Sequence, residues 1–78
     1  MERKLSLSEK AYDISCRMLK HRLKYDWLIH LFEQDGVTLA RTELSDILHG
    51  RRKSQKAEQV VDRAREFLDK YERAFVNH

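Results

Sequence analysis

Apolar residues recur along this chain at spacings of three and four, and polar positions fill the gaps between them. That period is the signature of amphipathic helices, and it marks out four stretches. In the first, from about Leu7 to His21, Leu7, Ala11, Ile14 and Met18 form one stripe. Tyr12, Cys16 and Leu19 form a second beside it, and the two together predict a broad buried face. Ser6 and Glu9 stand at N-cap and N3 of this stretch, the spacing of a capping box. The second stretch runs from about Tyr25 to Gln34. Leu28, Leu31 and Phe32 share its apolar face, and Trp27 and Ile29 widen it. The third runs from about Ala40 to His49, with Leu44, Ile47 and Leu48 at the same spacing. Alanine has no side chain that caps, so Thr38 and Thr42 are the candidates for a capping side chain. The fourth begins near Ser54, a good N-cap, and reaches about Phe75. Its residues Ala57, Val61, Ala64, Leu68, Tyr71 and Phe75 alternate spacings of four and three, as in a coiled-coil seam. Val60, Phe67 and Ala74 broaden that seam. Glu66 with Lys70, and Asp69 with Arg73, are i,i+4 pairs in the favoured order.

The second and third stretches are joined by Asp35-Gly36-Val37-Thr38. Asp-Gly is a turn signal, because glycine accepts a positive φ. Gly50 follows the third stretch as a C′ residue, with His49 in the last turn. Two short helices about a tight turn, with a polar outward face on the second, form the helix-turn-helix pattern.

The residues from Trp27 to Gly50 resemble the Cro and CI repressor family (XRE type) of phages and mobile elements. They are most similar to a branch common in Gram-positive bacteria and their phages. That branch opens its second helix on a W-L-I run, here Trp27-Leu28-Ile29. It then places a glycine, a leucine eight residues later, an isoleucine three after that and a second glycine three further on. Here these are Gly36, Leu44, Ile47 and Gly50. A basic run follows in the family, where this chain has Arg51-Arg52-Lys53. The resemblance covers roughly residues 23 to 68. It implies an all-α, lambda repressor-like domain over residues 1–78, with a helix-turn-helix core at 24–50 and a long C-terminal helix at 54–75. It departs from the family at the second helix, which usually opens on a Ser or Thr cap followed by a phosphate-holding Gln. Lys24, Tyr25 and Asp26 stand there instead. Lys24 and the Tyr25 hydroxyl are the candidates to replace that clamp, while Asp26 favours the helix dipole and repels a phosphate.

Composition narrows the classes. Proline is absent and only two glycines occur, which argues against an all-β fold. With 41% hydrophobic and 37% charged residues, a small helical domain is expected. The net charge of +3 is uneven. Residues 1–56 hold twelve Lys and Arg against eight Asp and Glu, a balance of +4, while residues 57–78 hold four against five, a balance of −1. The basic part suits a polyanionic partner. Cys16 is the lone cysteine, which rules out an intramolecular disulfide and a multi-cysteine metal site and is expected to be a small buried hydrophobe. No long apolar run opens the chain, so a cytoplasmic protein with no membrane span is expected. His21, His30, His49 and His78 are scattered, and no catalytic motif, metal motif or Gly-rich phosphate loop accompanies them. An enzyme, a metal and a cofactor are therefore not expected.

The candidate contacts follow from the pattern. With Leu44, Ile47 and Leu48 inward, Arg41, Thr42, Ser45 and Asp46 face out, where a recognition helix meets base edges. Arginine bridges guanine O6 and N7, and aspartate accepts from cytosine N4. Lys24, Tyr25, Arg51, Arg52, Lys53 and Lys56 are the candidate phosphate contacts. Arg17, Lys20, Arg22 and Lys24 cluster where the first stretch meets the second, either as a solvated basic face or as further phosphate contacts. Met1 to Leu5, with Arg3 and Lys4, is expected to be a frayed arm. Tyr71, Ala74 and Phe75 are expected to hold two copies together as a homodimer. The expectation is a Cro-like repressor that binds double-stranded DNA. The alternative is an antirepressor or modulator that uses the same fold to bind a repressor protein, a reading kept open by Asp26, Glu43 and Asp46.

Overall fold

A computed structural model describes residues 5–76, and the side chains of residues 5–74. Arg3, Lys4, His78 and the Phe75 side chain lie outside what it describes. Among the described residues the chain is all-helical, with four helices and no strand: α1 Leu7–Lys20, α2 Tyr25–Gln34, α3 Arg41–Leu48 and α4 Gln55–Val76.

Each helix starts where local chemistry permits. The Ser6 hydroxyl accepts from the Glu9 N–H at 3.2 Å, and the Glu9 carboxylate accepts from the Ser6 N–H at 3.2 Å. This reciprocal box satisfies two donors that a helix start leaves unpaired. The Ser54 hydroxyl accepts from the Ala57 N–H at 3.2 Å. By contrast α2 and α3 begin on Lys24 and Ala40 with extended backbone and no side-chain cap, so the expected cap from Thr38 or Thr42 is absent.

Three helices end on the same hydrogen-bonded device. At α2 the Val37 N–H donates to the Phe32 carbonyl at 2.8 Å and the Gly36 N–H to the Glu33 carbonyl at 2.9 Å. At α3 the Arg51 N–H donates to Asp46 at 2.8 Å and the Gly50 N–H to Ile47 at 3.2 Å. At α1 the Leu23 N–H donates to Met18 at 2.8 Å and the Arg22 N–H to Leu19 at 3.1 Å. These are Schellman motifs, whose C′ residue adopts a left-handed conformation. Gly36 and Gly50 take it at φ 84° and 77°. At α1 an arginine does so, with Arg22 at φ 57°.

All four helices feed one apolar cluster. Ala11, Ile14 and Met18 of α1 meet Leu28 and Phe32 of α2, Leu44, Ile47 and Leu48 of α3, and Ala57, Val60, Val61, Ala64 and Leu68 of α4. Leu39, inside the α2–α3 turn, joins them at 4% exposure and pins the turn to the core. α1 packs on α3 and α4, α2 on α3, and α3 on α4. The Phe67 ring meets Phe32 edge-on at 5.2 Å and ties α2 to α4.

Four expectations are corrected here. The second stripe of α1 is solvent-facing, with Tyr12 72% and Leu19 80% exposed and Cys16 exposed as well. Ala11, Ile14 and Met18 already fill the side of α1 that meets α3 and α4, and among the described residues no helix covers the adjoining side. Arg17 is not part of a solvated basic face. Its guanidinium reaches Asp69 and Glu72 of α4 and Asp13 of its own helix, while His21 Nε2 lies 2.8 Å from Glu72. The local pairs on α4 are displaced by other partners. Asp69 takes Arg17, and Glu66 takes Arg63 at 2.7 Å. Finally, Tyr71 is not a spare surface residue. Its ring meets Trp27 at 5.7 Å and His21 at 5.3 Å, both edge-on, so it closes the joint of α1, α2 and α4. Ala74 is exposed.

Candidate nucleic-acid interface

The apolar side of α3 is spent entirely on the core, with Leu44, Ile47 and Leu48 at 0, 2 and 5% exposure. A helix turns about 100° per residue, so burying that side turns Arg41, Thr42, Ser45 and Asp46 outward. Arg41 and Thr42 are exposed at the first turn, and Ser45 and Asp46 are half-buried further along. The His49 ring leans back over Ser45. Its Nδ1 lies 2.7 Å from the Ser45 carbonyl and 3.3 Å from the Ser45 hydroxyl. A carbonyl only accepts, so Nδ1 carries the proton.

The turn that presents α3 is fixed from both ends. Leu39 anchors it in the core, and Asp35, the last residue before Gly36, is gripped by Arg63 of α4 at 2.6 and 3.2 Å. Arg63 also lies over the Phe67 ring, 4.5 Å from its centroid. The Arg63 hydrogen bonds hold the Asp35 carboxyl below its ordinary pKa. This clamp joins residues 28 positions apart and has no local signature in the sequence.

The candidate phosphate contacts surround α3. Lys24 is exposed at the N-terminus of α2, and Tyr25 is partly buried against the core. Arg51, Arg52, Lys53 and Lys56 are exposed after the C-terminus of α3. Against these six cations, with Arg41 and without Tyr25, stand three carboxylates, Asp26, Glu43 and Asp46, which leaves the face at +3. The carboxylates are engaged. Asp46 lies 3.3 Å from Arg51 and 3.7 Å from Arg52, while Glu43 lies 3.2 Å from Lys56 and 3.8 Å from Arg52. Asp26 is 4.0 Å from Arg41. Among the described residues Lys24 and Lys53 have no acidic partner within ion-pair distance.

Elsewhere α1 and α4 pair charges with one another. Lys10 pairs with Asp62 at 2.9 Å, Arg65 lies 3.4 Å from Asp13, and Arg17 and His21 converge on Glu72. The hydrogen bonds from Arg17, then His21, lower the Glu72 carboxyl to about 2. Among the described residues no cluster of His, Cys, Asp or Glu is placed to hold a metal ion, and no helix is long and apolar enough to cross a membrane. Comparison with protein-family models, with curated proteins and with solved structures finds no match for this chain.

Proposed function

We propose that the chain is a sequence-specific, double-stranded-DNA-binding transcription regulator of the Cro and CI repressor kind, from a phage or mobile element. In this reading α2 and α3 are the helix-turn-helix of a lambda repressor-like domain, and α3 enters the major groove. The observation that carries it is the placement of charge around α3. Its inner side is sealed into the core, its outer side presents Arg41 and Thr42 at the first turn, and Arg51, Arg52, Lys53 and Lys56 follow its end. A recognition helix reads base edges with its N-terminal residues, while flanking cations hold the backbone.

The reading assigns base contacts to Arg41, Thr42, Ser45 and Asp46, and phosphate contacts to Lys24, Tyr25, Arg51, Arg52, Lys53 and Lys56. One chain presents one such helix, so two copies are needed to span two half-sites about one DNA turn apart. The end of α4, with Tyr71, Ala74 and Phe75, remains the proposed homodimer contact. Light scattering tests this, and a chain that stays monomeric at high micromolar concentration removes the dimer.

The three carboxylates on the face favour a second reading, in which the same surface binds a repressor protein as an antirepressor or modulator. An electrophoretic shift with the DNA flanking the chain's own gene decides between the two. The first reading expects a retarded band that weakens steeply with salt. Folded protein that shifts no DNA at low salt overturns it.

A further inference from the structure

The cations after α3 do not stand alone. Three of the four are tied to the two carboxylates of α3 itself: Arg51 to Asp46, Lys56 to Glu43, and Arg52 to both. Glu43 and Asp46 are themselves half-buried, so they stay beside these cations as part of the helix surface. We infer that Glu43 and Asp46 are built-in competitors of DNA phosphate, holding Arg51, Arg52 and Lys56 in ion pairs that a duplex has to exchange, and thereby suppressing binding to non-specific DNA. This inference rests on the DNA-binding reading above and adds to it a source of discrimination.

Non-specific binding draws essentially all its affinity from cation–phosphate attraction and counterion release. Every carboxylate that holds a contacting cation subtracts from that term, because the cation leaves one anion for another and the carboxylate is left near a phosphate. A specific complex has further contacts to set against the same loss. Arg41 and Thr42 are exposed for base edges, and Asp46 gains a donor where cytosine N4 meets it. The subtraction by Glu43 falls equally on both complexes, whereas that by Asp46 weighs more on random sequence, because only the cognate site offers its carboxylate a cytosine donor in exchange. Lys24 and Lys53, which are not held, keep enough attraction for encounter.

The test measures binding of a labelled random-sequence duplex by fluorescence anisotropy across a salt series. Glu43→Gln releases Lys56 and half the hold on Arg52 without touching an assigned base contact, and Asp46→Asn releases Arg51 and the other half of the hold on Arg52. Asp62→Asn is the charge control, since it makes the same change in net charge on α4, where Asp62 pairs with Lys10. Each α3 variant is expected to bind random duplex several-fold tighter than the unaltered protein, and the double variant about tenfold tighter. The slope of log K against log salt should steepen by about one to two. Asp62→Asn should change affinity less than twofold. Circular dichroism confirms that each protein is folded, and if one α3 variant fails to fold the other still reads the effect. Equal gains for the α3 variants and for Asp62→Asn would reduce the effect to net charge and overturn the inference, as would unchanged or weaker binding by the α3 variants. Those outcomes leave the DNA-binding reading standing if the unaltered protein binds. Folded protein and variants that all bind no duplex at low salt overturn both.

Discussion

Replacing Arg22 with glycine should make this protein more stable. Arg22 is the C′ residue of α1, at φ 57°, and its N–H and that of Leu23 close the α1 terminus on Leu19 and Met18. An L-residue in the left-handed region carries a cost of roughly 1–2 kcal/mol, from the approach of Cβ to its own backbone. Glycine has no Cβ and escapes it, but widens the unfolded ensemble by about 0.4–1 kcal/mol. The Arg22 side chain is exposed and none of the described hydrogen bonds or ion pairs uses it, so its loss removes little else. The net gain for Arg22→Gly is about 0.5–1 kcal/mol. For a domain of this size that raises Tm by roughly 2–8 °C. Urea denaturation with a paired thermal melt measures both, and Arg22→Ala is the companion variant. Alanine keeps the Cβ, and with it the strain, so it should gain nothing. Equal stability for the glycine variant and the unaltered protein would refute the argument, and so would equal gains for glycine and alanine.

The Arg17–Glu72–His21 joint makes stability depend on acid. Glu72 has a folded pKa of about 2 against an ordinary 4.5, so its contribution is complete above that ordinary value and is lost as pH falls toward 2. Acid titration followed by circular dichroism should show this loss, and Glu72→Gln should flatten it; an unflattened profile assigns the loss elsewhere. Tyr71→Ser should destabilise by roughly 1.5–3 kcal/mol, as the loss of a packed aromatic does, and a denaturation midpoint that does not move would return Tyr71 to the free surface. Arg41→Ala should lower discrimination between a selected site and random duplex by ~1–3 kcal/mol, while Arg52→Ala should change both affinities alike. Competition anisotropy reads the two, and equal losses on both duplexes for both variants contradict the division into reading and anchoring residues.

What the sequence disclosed and what it hid divide along a physical line. Ser6 with Glu9, Ser54, Gly36 and Gly50 act on backbone a few residues away, so their roles as caps and turn residues were legible at once. The inward residues of α3 and α4 follow from helical period alone. The choice between the two stripes of α1 does not, because Tyr12, Cys16 and Leu19 are as regular as Ala11, Ile14 and Met18 and only the neighbouring helices decide which is covered. Arg22 carries no glycine to announce its left-handed backbone. Arg17 with Glu72 and Asp35 with Arg63 join residues 55 and 28 positions apart, and no local spacing encodes either. Leu39 belongs to no periodic stretch, yet it seats the turn. The acids of the candidate interface were visible as a departure from a basic recognition helix, but their hold on Arg51, Arg52 and Lys56 needed the Schellman turn at Gly50, which carries the chain on from the end of α3.

Selection from a library of random DNA duplexes, with the enriched pool sequenced, shows whether this protein reads sequence. The expected result is an enriched motif of two related half-sites, with centres about one helical turn (10–10.5 base pairs) apart. Affinity for that motif should exceed affinity for the input pool and fall with rising salt. Folded protein that enriches no motif over the input library, at low salt and over repeated rounds, would contradict it.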